Sequence, residues 1–187
     1  MLHQVFAGAT IALACFFSSI AHAQTTTGGT LHWSASRPLA LADFKGRPRP
    51  NEAHAALTST TIVAQVACKG GQFTGHVQAA LDPTLSWVRD PATMTPALLR
   101  HEQLHFDITE VYARRLRQKL AALHIACAQL GPAFDRLSQG VYSEWEKAET
   151  QYDRDTNHGL KPEQQARWEA QVQQQLRELA EFADKEA

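Results

Sequence analysis

The chain has 187 residues, with 18 Lys plus Arg against 19 Asp plus Glu and a formal net charge of −1. That balance offers no basic footprint for nucleic acid or for an anionic membrane surface. A Gly-rich phosphate loop and an internal repeat are both missing from the sequence.

Residues 1–23 have the pattern of a secretory signal. The run from Val5 to Ile20 is apolar or small, too short for a comfortable membrane span, and Ala21-His22-Ala23 is a small-x-small cleavage site. The leading Met1-Leu2-His3-Gln4 carries no Lys or Arg. Anchoring by an uncleaved segment is the second alternative. A lipoprotein at Cys15 ranks lower, because Ala12-Leu13-Ala14 precedes it and the apolar run continues past it. Cleavage leaves residues 24–187, a length for one domain with its own core and no stable membrane span. The expected location is outside the cytoplasm, periplasmic or secreted.

Residues 30–34 form a short candidate strand, and 38–50 are turn-rich, with Gly46-Arg47-Pro48-Arg49-Pro50. Over 60–68, Ile62, Ala64, Val66 and Cys68 fall on one side of a strand. Lys69-Gly70-Gly71 is the turn. Phe73, Val77, Ala79 and Leu81 then alternate with Gln72, Thr74, His76 and Gln78, which predicts a strand with one face buried and one wet. His76 lies on the wet face and reads as solvated. Residues 84–88 are a last short strand, and this half is expected to form one antiparallel sheet. Of the two cysteines beyond the signal, Cys68 ends a strand and Cys127 ends the helix that follows. An even count in an exported chain predicts one disulfide between them. Two buried thiols are the alternative; zinc ligation is less favoured, since neither lies in a C-x-x-C pair.

Thr95-Pro96 is a helix start, with Thr as N-cap and Pro at the first position. The helix is expected to run from Pro96 to about Ala128, ended by Gly131-Pro132. It carries His101-Glu102-Gln103-Leu104-His105, an H-E-x-x-H motif. The two histidines project from one face, one turn apart, where a single zinc ion can take both. Glu102 is rotated about 100° from His101, so it can reach a water on the metal without ligating. Apolar residues on several sides, among them Leu99, Phe106, Ile108 and Ala113, predict a buried helix. Further on, Phe134, Leu137, Val141, Trp145 and Ala148 recur at helical spacing, and a polar break is expected over 152–159. Pro162 opens a last helix with Trp168, Val172, Leu176 and Leu179 on one stripe.

A catalytic zinc normally takes three protein ligands. The metzincin continuation is absent, since Ile108 and Val111 stand where it would need a residue of its own pattern. His158, before Gly159 in the polar break, is the favoured third ligand. Glu144, Glu149 and Asp153 are its carboxylate competitors. The fold class is therefore α+β: an N-terminal antiparallel sheet packed on a long H-E-x-x-H helix, followed by two further helices.

The chain also resembles the DUF922 family of predicted secreted zinc-dependent proteases. The resemblance rests on Leu39-Ala40-Leu41-Ala42-Asp43-Phe44-Lys45-Gly46, on Ser86-Trp87-Val88, on Leu99-Arg100-His101-Glu102-Gln103-Leu104-His105-Phe106-Asp107, and on Tyr152-Asp153-x-x-Thr156-x-His158-Gly159. It implies a zincin-like single domain over 24–187, in which Ser86-Trp87-Val88 is an edge strand that pairs with an extended peptide. The function expected is that of a zinc metallopeptidase. His101, His105 and His158 hold Zn2+, Glu102 is the general base, and Tyr152 is the candidate oxyanion donor. A non-catalytic zinc-binding envelope protein, or a metal-dependent amidase of cell-wall peptides, is the alternative.

Overall fold

The computed structural model describes residues 29–184, apart from 71 and 125. The signal segment expected over 1–23, Cys15 included, lies outside the described residues. The fold is α+β. Its strands are β1 (Leu31–His32), β2 (Ala56–Leu57), β3 (Thr60–Lys69), β4 (Gln72–Leu81) and β5 (Trp87–Val88). Its helices are α1 (Pro96–Ala121), α2 (Leu130–Thr156) and α3 (Pro162–Glu178). Among the described residues no helix is long and apolar enough to cross a membrane.

β3 and β4 pair antiparallel from Thr60 opposite Leu81 to Lys69 opposite Gln72, which puts the turn at Gly70 as expected. The alternation read in the sequence aligns across them: Ile62 faces Ala79 and Ala64 faces Val77 on one side of the ladder. β1 joins on the far edge of β4. The expected single sheet is corrected at β5, which pairs with β2 in a separate two-stranded ribbon. Asp82 explains the departure. Its carboxylate accepts from Thr84 N (2.8 Å) and Thr84 Oγ1 (2.6 Å), and this Asx turn takes the chain off the sheet before Trp87. Thr84 bonding also holds the Asp82 carboxyl below its ordinary value.

Helix α1 is buried on two sides. Phe106, Ala113, Leu116 and Leu120 pack with Ile62, Val77, Ala79 and Leu81 of the sheet. Leu104, Ile108 and Val111 pack with Tyr152 of α2 and with Val172 and Leu176 of α3. This explains why apolar residues surround the motif. The N-terminus is as expected: Thr95 Oγ1 accepts from Leu98 N (3.1 Å), and Pro96 occupies the first position. The C-terminus is corrected from about Ala128 to Ala121. The chain must turn back there to bring Cys127 to Cys68, with which it forms a disulfide at a Cα–Cα distance of 5.8 Å. Gly131-Pro132 do not end a helix; they lie in the first turn of α2, where Pro lacks no partner. The polar break is corrected as well. Tyr152 and Thr156, one turn apart, are both fully buried, so α2 continues through them. The break is confined to the connection before α3, where Asn157, His158 and Gly159 all have positive φ.

Candidate metal centre

His101 and His105 occupy successive turns of α1, and Glu149 and Asp153 occupy successive turns near the end of α2. The two helices pack with these pairs facing. Asp153 Oδ1 lies 3.2 Å from His101 Nε2, 3.2 Å from His105 Nε2 and 3.3 Å from His158 Nδ1. His101, Asp153 and His158 place one ligand atom each within 4.8 Å of one another, a group that can hold a metal ion. That grouping omits His105, yet its Nε2 approaches the same oxygen as closely as His101 does.

Two observations test whether a metal fits. Asp153 Oδ1 is buried and has no hydrogen-bond partner, although three imidazole nitrogens surround it. The spacing also fits a shared ion. Metal–ligand bonds of about 2.0–2.1 Å around a tetrahedron give ligand–ligand edges of about 3.3–3.4 Å, and the three observed separations are 3.2, 3.2 and 3.3 Å.

The imidazoles are oriented from behind. His105 Nδ1 meets Glu149 Oε2 at 2.5 Å, and Glu149 Oε1 accepts from Trp145 Nε1 at 2.8 Å. His101 Nδ1 meets Gln165 Oε1 at 3.3 Å. Each contact occupies Nδ1 and leaves Nε2 toward the shared point, the usual partner arrangement of metal-bound histidines. Burial disfavours a charged His105, but the adjacent carboxylates of Asp153 and Glu149 outweigh it and raise its pKa to about 10. For Asp153 burial acts upward, and the adjacent imidazoles of His101 and His105 overcome it, holding the carboxyl far below its ordinary value.

Glu149, a competitor for the third ligand position, is thus a partner of His105 on the side away from Asp153. Glu144 is half-exposed and 3.9 Å from Arg115. Tyr152 is placed differently from an oxyanion donor. It is fully buried, its ring stacks on His101, and its hydroxyl donates to Gln165 Oε1 (2.8 Å) near the His101 carbonyl (3.2 Å). Burial raises its pKa further. It supports His101 from below the cleft.

A cleft opens above the cluster, with Leu98, His101, Glu102 and His105 on one side and Asp153 and His158 on another. The segment from His54 to Thr58, containing β2, forms the remaining wall. Glu102 is buried, and its Oε2 accepts from Thr58 Oγ1 at 2.5 Å. The strand that lines the cleft is β2 and not the expected Ser86-Trp87-Val88. Trp87 and Val88 are buried behind it, and Arg89 N donates to Ala55 O at 2.8 Å. With Ala56 opposite Val88 in this register, strand alternation turns the N–H and C=O of Ala56 away from β5, to the cleft side.

The remaining segments of the resemblance serve this geometry. Gln103 accepts from Leu39 N (2.6 Å) and donates to Asp107 (2.7 Å), which also accepts from Trp33 Nε1 (2.8 Å). A side chain at Gly46 would come within 2.6 Å of Thr84 O and 2.9 Å of Ser86 O, so this loop seats against the β5 approach only with glycine. Gly159 has φ +79°, and a Cβ there would lie 3.0 Å from His101 Cβ. The close approach it allows is to His101 itself. Sequence reasoning missed Gln165, Thr58 and His54. Glu149 and Asp153 carried a signal: a four-residue spacing of carboxylates that mirrors the histidines.

Comparison with known proteins places the chain. The family described as "Bacterial protein of unknown function (DUF922)" matches residues 23–159. The chain belongs to the DUF922 family. That match contains the whole metal group and its Glu102. Neither a curated protein nor a solved structure matches the chain.

Proposed function

We infer that this DUF922 protein is an exported zinc-dependent peptidase. The observation that carries the inference is the convergence of His101, His105 and His158 on the unpartnered oxygen of Asp153, with Glu102 in the same cleft. His, His and carboxylate from packed helices are the donors that zinc prefers, and a disulfide suits an oxidising compartment. When bound, zinc supplies Lewis acidity and lowers the pKa of an attacking water toward about 7.

The chain's own residues do the rest. Glu149 and Gln165 fix the histidine tautomers. Thr58 holds one oxygen of Glu102, which leaves the other to accept a proton from water and return it to the departing amine nitrogen. The free edge of β2 at Ala56 aligns an extended peptide by backbone hydrogen bonds. His54, at the lip of the cleft, is the donor available to a developing oxyanion in place of Tyr152.

The exported protein is expected to purify with about one equivalent of zinc. The double variant His101→Ala/His105→Ala is expected to lose it. Glu102→Gln is expected to keep zinc and fold but to hydrolyse a casein probe about two to four orders of magnitude more slowly. Full zinc retention in the double variant, or unchanged turnover in Glu102→Gln, contradicts the assignment.

A further inference from the structure

The number of protein groups at the metal centre has a consequence for how it opens, which rests on the peptidase reading above. A hydrolytic zinc site keeps three protein ligands and one open position, whereas four protein ligands close it. Here four candidate ligand atoms meet: three imidazole nitrogens lie 3.2, 3.2 and 3.3 Å from Asp153 Oδ1, and the ligand atoms of His101, Asp153 and His158 lie within 4.8 Å of one another.

The four are not held alike. His101 and His105 sit mid-helix with side chains 3% and 14% exposed, and each has its second ring nitrogen engaged. Asp153 is on α2, 33% exposed. His158 is 49% exposed and belongs to no helix. Its backbone has φ +53° between Asn157 at +48° and Gly159 at +79°, a left-handed turn at the mouth of the cleft. Its ring has one other neighbour of note, the edge of His54 at 4.7 Å, itself on the opposite lip. Three donors are therefore built into the helical frame, and one stands at the entrance with solvent and a second ring beside it.

We propose that His158 is a displaceable fourth ligand, which closes the metal centre at rest and yields its position to an incoming oxygen donor. Departure of this ring leaves His101, His105 and Asp153 in place, the three-ligand set that hydrolysis requires. His101 and His105 have no comparable freedom, because each is packed on α1 with its second ring nitrogen engaged, and Asp153 is set on α2.

Cobalt(II) and acetohydroxamate, a metal-chelating oxygen donor, test this on the purified protein without any peptide substrate. His158→Gly suits a positive φ, and His158→Asn tolerates it. Both are expected to retain one Co2+, to change its visible absorption bands, and to bind acetohydroxamate about tenfold or more tightly than wild type, because no ring competes for the position. Asp153→Ala and His101→Ala are expected to lose Co2+ under the same conditions. Loss of Co2+ from both His158 variants as complete as from His101→Ala makes His158 indispensable and overturns the proposal. Unchanged bands with unchanged hydroxamate affinity overturn it too, since His158 is then no ligand. A wild-type protein that takes up no Co2+ refutes the metal centre itself, and with it both readings.

Discussion

Helix α1 contributes to two buried polar clusters, and they differ in completeness. Toward its C-terminal half, Glu110 Oε1 accepts from Arg114 Nε (2.8 Å) and Arg117 Nη1 (3.0 Å), and Oε2 accepts from Arg117 Nη2 (3.2 Å). The guanidinium groups also donate to the carbonyls of Leu176, Val77 and Phe182. Toward its N-terminal half, the same helix brings two imidazoles to a carboxylate oxygen that has no hydrogen bond. Buried polar groups are expected to be satisfied, and an exception asks for a missing partner. The first cluster is complete and braces α3 and the chain after it against α1. The second leaves one buried oxygen, Asp153 Oδ1, unpartnered, and a cation at its centre would satisfy it.

Exchanging the two clusters' fates is the sharpest way to break this contrast. Asp153→Ala is expected to weaken zinc binding beyond the about 10–100-fold typical of losing an outer partner, while its circular dichroism stays native. Glu110→Gln is expected to keep one equivalent of zinc yet to lose about 3–5 kcal/mol in chemical denaturation, because buried Arg114 and part-buried Arg117 lose their counter-charge. Loss of zinc in the Glu110 variant, or a large loss of stability in the Asp153 variant, dissolves the distinction. A smaller effect separates ligands from their supports within the second cluster. Glu149→Ala is expected to reduce zinc affinity by about 10–100-fold without abolishing it, measured by competition with a chelator.

The subtlest effect concerns pH. In metal-free protein, the raised pKa of His105, from 6.5 to about 10, contributes stability that is fully present below 6.5. That contribution is lost as pH rises through about 10. The Tm of metal-free protein is therefore expected to fall across this window, and zinc, which replaces the proton on Nε2, is expected to remove the fall. A flat profile without metal contradicts the carboxylate–histidine geometry.

Much of this was legible in the sequence, and the failures have physical causes. The H-E-x-x-H helix, its Thr95 cap, the long hairpin and the Cys68–Cys127 pair follow from periodicity, capping and cysteine count, all local or arithmetic signals. β2 was not legible, because Ala56-Leu57 is too short to alternate. The continuation of α2 through Tyr152-Asp153 was hidden by its polarity: Asp153, which read as part of a loop, lies against His101 and His105 of α1. Asp153 was visible only as one candidate among several, since its claim depends on how α2 docks against α1. Tyr152 drew attention as a possible donor, but its neighbour Gln165, which captures its hydroxyl, lies on another helix and gave no signal at all.

The Cys68–Cys127 bridge joins positions 59 residues apart, and the covalent ring so formed contains His101, Glu102 and His105 but neither Asp153 nor His158. In the chain-entropy account, closing such a ring stabilises the fold by about 4 kcal/mol. His101, Glu102 and His105 thus sit in a closed ring, while Asp153 and His158 arrive on the tail beyond it. A chain still reduced loses that margin of fold stability, and with it support for the fold that brings the tail to the ring. On the metal reading proposed above, redox compartment as well as metal supply then governs where the centre assembles.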